Sequence, residues 1–351
     1  MKEFALSRRA ALEWVGRTAA ALTFPMIAAC GRESGNGSKT LAGTTMGTTY
    51  RVTIARPPDN VDADRLSVEI DRILETVDMR MSTYRPDSEL SRFNAARSQD
   101  WFAVSDDTLN VVAAALDISR LTDGAFDVTV GPLVNLWGFG PTAPQEIRPE
   151  EGLLRDSSRY ATYRAIRTRR SPPALRKSVA EAYIDLSGIA KGFALDKLSE
   201  HFEAAGLDHY LIEIGGELRA RGRNPRGKSW TIGIEKPLPG EIIIHRRVGL
   251  ADAALATSGD YRHFFLRDGR RYSHIIDPRT DAPITHDLAS VSVIAEAAMR
   301  ADALATALAV LGPNDGPSLA LRDGLAALFM VRDGNRFSEI RTPMFDRYVL
   351  T

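Results

Sequence analysis

The stretch Tyr183-Ile184-Asp185-Leu186-Ser187-Gly188-Ile189-Ala190-Lys191-Gly192 changes character at Ser187. Residues 183–186 read as a strand, a loop of small residues follows, and a helix runs over 191–205 until Gly206 closes it. Downstream, strand patterns follow one another over 210–214, 231–235, 242–250, 261–266, 271–276 and 288–294. A helix is expected from about 296 to 311, then a last strand pair near 326–332 and 336–341. Upstream, 48–54 alternates as a strand should. Residues 62–79 place Leu66, Ile70, Ile73, Leu74 and Val77 on one helical face. Ser105 stands where it would cap a helix reaching Leu121, with Gly124 beyond its end. Helices and strands are interspersed without a steady βα alternation. The expected fold is therefore α+β, with mixed sheets and interspersed helices in one large domain.

The chain has 351 residues, enough for a substantial core. Its 45 Lys and Arg balance 45 Asp and Glu, so no global field draws it to nucleic acid or an acidic membrane surface. Arg219, Arg221, Arg223, Arg226 and Lys228 surround Asn224-Pro225, and Arg164, Arg167, Arg169 and Arg170 form a second basic stretch. With a balanced net charge both read as solvated faces, and no nucleic-acid partner is expected. Cys30 is the only cysteine, which excludes an intramolecular disulfide and a multi-cysteine metal site.

The first thirty residues read as a targeting segment. Lys2, Arg8 and Arg9 precede an apolar run over 14–29, broken by Arg17 and ending in Ile27-Ala28-Ala29-Cys30. Small residues before a cysteine resemble the lipobox of bacterial lipoproteins, which would make Cys30 the lipidated first residue of an exported protein. The expected location is the periplasmic side of a bacterial membrane, held by a lipid anchor. The alternative is an amphipathic N-terminal helix with a stray cysteine. Ser7-Arg8-Arg9-Ala10-Ala11-Leu12 also resembles a twin-arginine signal, with Ala11 where Phe is usual. Residues 31–42 read as a flexible tether and 43–351 as the folded domain.

Four segments carry chemistry. Asp302 and Thr306 are one helical turn apart, flanked by Ala298, Ala305 and Ala309, while Leu304, Leu308 and Leu311 point to a core. One carboxylate and one hydroxyl suit Mg²⁺, which keeps waters and borrows phosphate oxygens; the bland reading is an ion pair with Arg300. In the loop 185–192, a helix N-terminus and Lys191 favour phosphate, although the Walker A order is absent and an ordinary turn would look similar. His274, in Tyr272-Ser273-His274-Ile275-Ile276-Asp277-Pro278, suits a general base, while a lone strand histidine is more often structural. Asp127, in the glycine-bounded run 124–140, needs a partner if buried: a ligand, or a backbone amide.

Taken in order, these segments closely resemble the ApbE family of FAD:protein FMN transferases. The likeness runs from Met46-Gly47-Thr48-Thr49-Tyr50 through Met81-Ser82-Thr83-Tyr84, residues 124–140 and 185–192, and Ile214-Gly215-Gly216-Glu217. It continues through Thr257-Ser258-Gly259 and 273–278 to 302–306. The resemblance implies that Met46, Tyr84, Ala125, Phe126, Asp127, Asp185, Lys191 and Ile276 contact FAD. It also implies that Gly188, Asp302 and Thr306 hold Mg²⁺, and that His274 is catalytic with Lys191 beside the pyrophosphate. Some members carry a second acid where this chain has Ala305, which puts the strength of metal binding in doubt; Asp281 replaces a common glycine.

The implied reaction moves FMN from FAD to a Thr or Ser hydroxyl of an acceptor protein, releasing AMP. Acceptors typical of the family are flavoprotein subunits of membrane redox complexes. Two alternatives remain at this stage. One is an FAD pyrophosphatase using water at the same site, and the other a non-catalytic flavin-binding lipoprotein, which needs neither base nor metal. Covalent label on an acceptor, free FMN with AMP, or intact FAD would separate the three.

Overall fold

Alternation of apolar side chains along successive strands sets the architecture. In β11 (Ala253–Gly259), Ala254 and Ala256 face one core while Ala253 and Leu255 face another. In β16 (Leu288–Ala295) and β17 (Ala326–Asp333) the same split recurs, with Val291, Val293, Ala327 and Phe329 on one side and Ile294, Leu328 and Met330 on the other. The computed structural model describes residues 32–34, 37–58, 61–141, 148–261, 263–267, 270–334 and 336–350. The proposed signal segment and Cys30 lie outside them.

The strands in chain order begin with β1 (Arg32–Ser34), β2 (Ser38–Thr45), β3 (Thr48–Ala55), β4 (Phe102–Ala103), β5 (Ile166–Arg169) and β6 (Ala174–Lys177). Next come β7 (Tyr210–Ile214), β8 (Glu217–Arg221), β9 (Trp230–Glu235), β10 (Ile244–Leu250) and β11. The rest are β12 (Phe264–Arg267), β13 (Arg270–Ser273), β14 (Ile276–Asp277), β15 (Ala282–Pro283), β16, β17 and β18 (Arg336–Arg341). Nine of them form one antiparallel sheet in the order β1-β2-β3-β7-β8-β11-β16-β17-β18. The helices are α1 (Ala63–Met81), α2 (Glu89–Ala95), α3 (Asp106–Leu121), α4 (Gly131–Leu136), α5 (Glu151–Ser158), α6 (Ala190–Ala204), α7 (Ala298–Arg322) and α8 (Pro343–Asp346). Helices α1, α6 and α7 cover one face of the sheet, and the β9–β10 hairpin with α8 covers the other. This is the expected α+β arrangement.

Helix α7 is the central element, buried on nearly every side from Ala298 to Val310. It kinks at Gly312, whose φ of 78° ends the regular run one residue past the expected stop. Its neighbour α6 crosses it at the closest range glycine allows. A Cβ on Gly192 would lie 2.4 Å from the Ala298 carbonyl oxygen. The Gly192 amide donates to the Asp302 carboxylate at 3.0 Å. In return Asp196 of α6 accepts from the Ala298 and Met299 amides at 2.8 and 2.9 Å, supplying the cap that Ala297 has no side chain to provide.

Three local expectations differ from the structure. Residues 31–42 are not an unstructured tether throughout, since they hold β1 and most of β2, with Ser38 and Leu41 buried and Ser38 opposite Ala55. Residues 183–186 join no ladder. The Asn94 side chain takes the place of a neighbouring strand, donating to the Ile184 carbonyl at 2.7 Å and accepting from its amide at 2.8 Å. The strand over 271–276 breaks at His274, because the Ser273 hydroxyl accepts the Ile275 amide at 3.1 Å and draws that amide from the ladder. Asp281, where a glycine was the expected residue, sits at φ 58°, the left-handed region that explains the preference.

Gly192→Ala is expected to destabilise the protein by about 2–3 kcal/mol, since neither helix backbone can yield cheaply. Gly152→Ala in α5, with open space around it, should be neutral or stabilising by up to about 1 kcal/mol. Equal denaturant midpoints for the wild type and Gly192→Ala would refute the close helix approach.

Candidate active site

A cavity of about 750 Å³ opens beside the loop that precedes α6. That size suits a ligand larger than a mononucleotide. Asp185, Ser187, Gly188 and Lys191 line it from the α6 side, and Glu217 from the start of β8. Thr306 of α7, Thr257 and Ser258 of β11, and His263, His274 and Ile276 also line it. Thus most of the residues singled out in sequence converge, although they come from four separate parts of the chain.

The charged centre lies where α6, α7 and β8 meet. Lys191 Nζ stands 3.2 Å from Glu217 Oε1, with Asp302 close enough to act on both charges. Burial disfavours the Lys191 ammonium, but Asp302 and Glu217 outweigh it and hold its pKa above the usual lysine range. Burial pushes the Glu217 carboxyl up, with Asp302 adding to the shift against the pull of Lys191. Glu217 Oε2 is buried and has no hydrogen-bond partner. With both carboxyls ionised, two carboxylates and one ammonium would leave one negative charge in excess, and Glu217, pushed up to about 7, can take a proton near neutrality in place of a cation. Around it, the Thr306 hydroxyl meets the Ser258 hydroxyl at 3.2 Å, and a Cβ on Gly188 would lie 3.2 Å from Thr306 Oγ1. Among the described residues no group of three or more His, Cys, Asp or Glu forms a metal cluster. A cation here would rest on carboxylate, hydroxyl and carbonyl oxygens, the hard donors Mg²⁺ prefers.

Across the cavity, aromatic packing fixes the position of His274. Trp137 stacks on Tyr272 at 5.8 Å, Tyr272 on Phe265 at 5.0 Å, and Phe265 on Phe139 at 5.4 Å. This stack holds the β12–β13 hairpin against α4. At its other end the hairpin is anchored by Arg271, which shares the buried Asp260 with Arg332. His274 donates its backbone amide and its Nδ1–H to one acceptor, the His263 carbonyl, at 3.1 and 3.0 Å. A carbonyl only accepts, so the proton sits on Nδ1 and the Nε2 lone pair is left available. Burial pushes the His274 pKa down to about 4, against the smaller upward pull of the His263 carbonyl. The imidazole is neutral near pH 7, the state a general base needs.

The other expected residues fare differently. Tyr84 is 65% exposed at the cavity rim, leaving its ring face open. Asp185 accepts from the Ser187 amide and hydroxyl at 2.8 and 2.5 Å and so shapes the loop before α6. Ala125 and Phe126 line the cavity as expected. Asp127 also reaches the cavity wall, but its carboxylate accepts from the Thr129 amide and hydroxyl and from the Tyr163 amide; the backbone reading of this buried acid is the one observed. Met46 occupies the β2–β3 turn at φ 45° and packs against the main core, and neither it nor Asp302 is among the residues lining the cavity. Arg300 is exposed, and Asp302 bonds Gly192 instead of pairing with it.

Sequence reasoning gave no role to Glu217 or Asp196. Glu217 was legible in principle. Gly215-Gly216, both at positive φ, form a two-residue turn that sets Glu217 opposite Ile214, on the buried face. An acid on an apolar face is a site signal. Asp196 carried no such mark, since it reads as one more polar residue of an amphipathic helix.

The fold, the neutral imidazole and the buried oxygen donors define an α+β enzyme of the phosphoryl-transfer type. The model of the ApbE family matches residues 46–329, and the chain belongs to that family. It is similar to the FAD:protein FMN transferase of Vibrio cholerae, 44% identical over 309 residues that cover 88% of this chain and 92% of the relative. It is also similar to the FAD:protein FMN transferase of Haemophilus influenzae, 42% identical over 316 residues covering 89% and 91%. The crystallised flavin transferase ApbE of Vibrio cholerae superimposes with a TM-score of 0.82 at 43% identity, covering 89% of this chain and 99% of that one. The apo flavinyl transferase ApbE of Pseudomonas stutzeri gives 0.82 at 41% identity, covering 89% and 96%.

The His274 environment makes a direct expectation. In an NMR titration its imidazole should stay neutral, protonated on Nδ1, until the pH approaches 4. The unfolded chain takes up this proton near pH 6.5. Falling pH between those values therefore costs stability, which is fully present above the upper one. A midpoint near 6.5 in the folded protein would refute the burial argument.

Proposed function

We propose that this chain transfers FMN from FAD to a serine or threonine hydroxyl of an acceptor protein, with FAD held in the cavity between Lys191 and His274. The observation that carries the reading is one cavity holding a neutral imidazole with a free Nε2 and an anionic oxygen cluster with an unpartnered carboxylate oxygen. Binding alone needs neither.

Lys191 and the α6 N-terminus place positive charge where a pyrophosphate would lie. Tyr84 offers an open ring face, and Ala125, Phe126 and Ile276 offer apolar walls to the planar parts of FAD. Asp302, Thr306 and the Gly188 carbonyl would hold Mg²⁺, with Glu217 as a further oxygen donor. The ion would supply positive charge to the phosphate oxygens as the bond to AMP breaks. His274 Nε2 takes the acceptor hydroxyl proton, the oxygen attacks the FMN-side phosphorus, and the phosphorus–oxygen bond to AMP opens. The product is a phosphoester between acceptor and FMN. Positioning and charge stabilisation carry such a step. The N-terminal sequence supports an exported enzyme lipidated at Cys30 and facing the periplasm. An acceptor in a membrane redox complex would be within reach of such an anchor.

The test incubates the protein with FAD, Mg²⁺ and a flavoprotein acceptor, reading flavin fluorescence on the denatured acceptor together with free FMN and AMP. Free FMN and AMP without labelled acceptor would replace transfer by hydrolysis. His274→Ala should keep FAD affinity and lose about 10²–10⁴-fold in transfer rate; an unchanged rate would remove His274 from the mechanism. Asp302→Asn retains an acceptor for the Gly192 amide but loses its charge, and should need far more Mg²⁺ for transfer. A wild-type Mg²⁺ requirement in that variant would refute the metal assignment.

A further inference from the structure

One side of the cavity is formed by five consecutive residues of β9: Thr231, Ile232, Gly233, Ile234 and Glu235. Ile232 and Ile234 send their side chains into the core beneath the sheet, whereas Thr231 and Gly233 are exposed on the opposite face. Residues of both orientations border the cavity, so the backbone edge of the strand is what faces it. Strand β9 pairs only with β10 among the described residues, which leaves that edge unpaired.

The hydrogen bonds of β10 show which backbone groups point there. The Arg247 carbonyl accepts the Leu350 amide at 2.9 Å, and the Gly249 amide donates to the Tyr348 carbonyl at 2.8 Å. Arg247 and Gly249 therefore turn their backbones toward the C-terminal segment and away from β9. Their partners across the ladder are Gly233 and Thr231. In an antiparallel pair, facing residues exchange both bonds or neither. The N–H and C=O groups of Thr231 and Gly233 accordingly point away from β10, to the cavity. No described residue bonds them there.

Residues 231–234 of the edge contain no proline, lysine or other charge, and the first charge comes at Glu235, the last residue of the strand. Gly233 adds no side chain, and Ile244 of β10 reaches across it, with Cδ1 2.5 Å from where a Cβ would stand. Ile242, 81% exposed, and Ile243, 39% exposed, extend an apolar surface along the same hairpin.

We propose that the acceptor protein presents its flavin-receiving residue on an extended segment that adds to the cavity-side edge of β9, hydrogen-bonding to Thr231 and Gly233. The inference rests on the transfer reading given above. A substrate that is itself a polypeptide needs a track that brings its backbone to His274, and an open strand edge on the same cavity is such a track. Recognition through the main chain asks for extended, non-proline residues opposite Thr231 and Gly233 and reads little of their side chains. The apolar cover from Ile244 favours an aliphatic residue on the acceptor segment beside it.

The test uses the full chain with FAD and an acceptor domain that the wild type labels. Hydrogen–deuterium exchange is measured with the acceptor's receiving hydroxyl residue replaced by alanine, so that it binds without reacting. The Thr231 and Gly233 amides should gain protection on adding this acceptor and none on adding FAD alone. Thr231→Pro removes one outward amide without breaking a bond of the β10 ladder. It should raise the acceptor KM roughly tenfold or more while leaving FAD affinity at the wild-type value, which also reports correct folding. Unprotected amides under saturating, labelled acceptor would overturn the docking site. Protection without acceptor that grows with enzyme concentration would assign the edge to a second copy of this chain and overturn it likewise. Failure of the wild type to label any acceptor would overturn the transfer reading itself, a separate result from labelling without protection.

Discussion

The hydrogen bond from the Gly192 amide to the Asp302 carboxylate is the contact on which the site depends. It forms only because position 192 has no Cβ; with one, the two helix backbones would be forced apart. Asp196 closes the clasp from the other direction by capping the N-terminus of α7. The two helices therefore cannot slide or separate without breaking three hydrogen bonds, one of them fully buried and two half-buried. Lys191, one residue before the glycine, and Thr306, one turn after the aspartate, inherit their positions from this clasp. So does Asp302, whose second oxygen is aimed by the bond the first one makes.

The electrostatics follow from that geometry. A half-buried lysine ammonium loses part of its hydration, and Glu217 and Asp302 offset that loss. When both are ionised the pair overcompensates, which is why Glu217 is pushed up to about 7, and one of its oxygens is left with no partner. In a purely structural ion pair that oxygen would be a defect. In a site that receives a cation it is a ligand position. The histidine side of the cavity works by the opposite logic: no carboxylate bonds His274, and burial keeps it uncharged. One cavity thus holds a charged half and a neutral half, the first suited to a cation and the second to a proton.

Much of this arrangement was readable from residues. The helix cap at Ser105 and the stop near Leu311 came from local chemistry and hold in the structure. Convergence of the segments around Lys191, His274 and Thr306 was not derivable from spacing, because it depends on the sheet order, and came instead from family resemblance. Elements held by side chain–backbone bonds were misread. Residues 183–186 look like a strand and are paired by a single asparagine. The break at His274 depends on one serine hydroxyl. Neither leaves a periodic trace. His263 and His274 continue the β12–β13 register by one pair, so the His274 amide keeps its in-register partner, and Nδ1 shares that same His263 carbonyl, which sets the tautomer.

Ala305 shows how the structure changes the meaning of a sequence departure. Read along the helix, an alanine in place of an acid suggests a weaker metal site. Ala305 is fully buried within the main core, one residue before Thr306 and three after Asp302. An added carboxylate there would carry a further charge into a centre already short of positive partners. Glu217 brings its carboxylate from β8 instead, across the α6–β8 contact, with Lys191 holding one oxygen and the other left open. The turn at Gly215-Gly216 brings the Glu217 carboxylate to this centre from β8. The oxygen count around the proposed cation is thereby set by tertiary structure, and a motif confined to one helix does not report it.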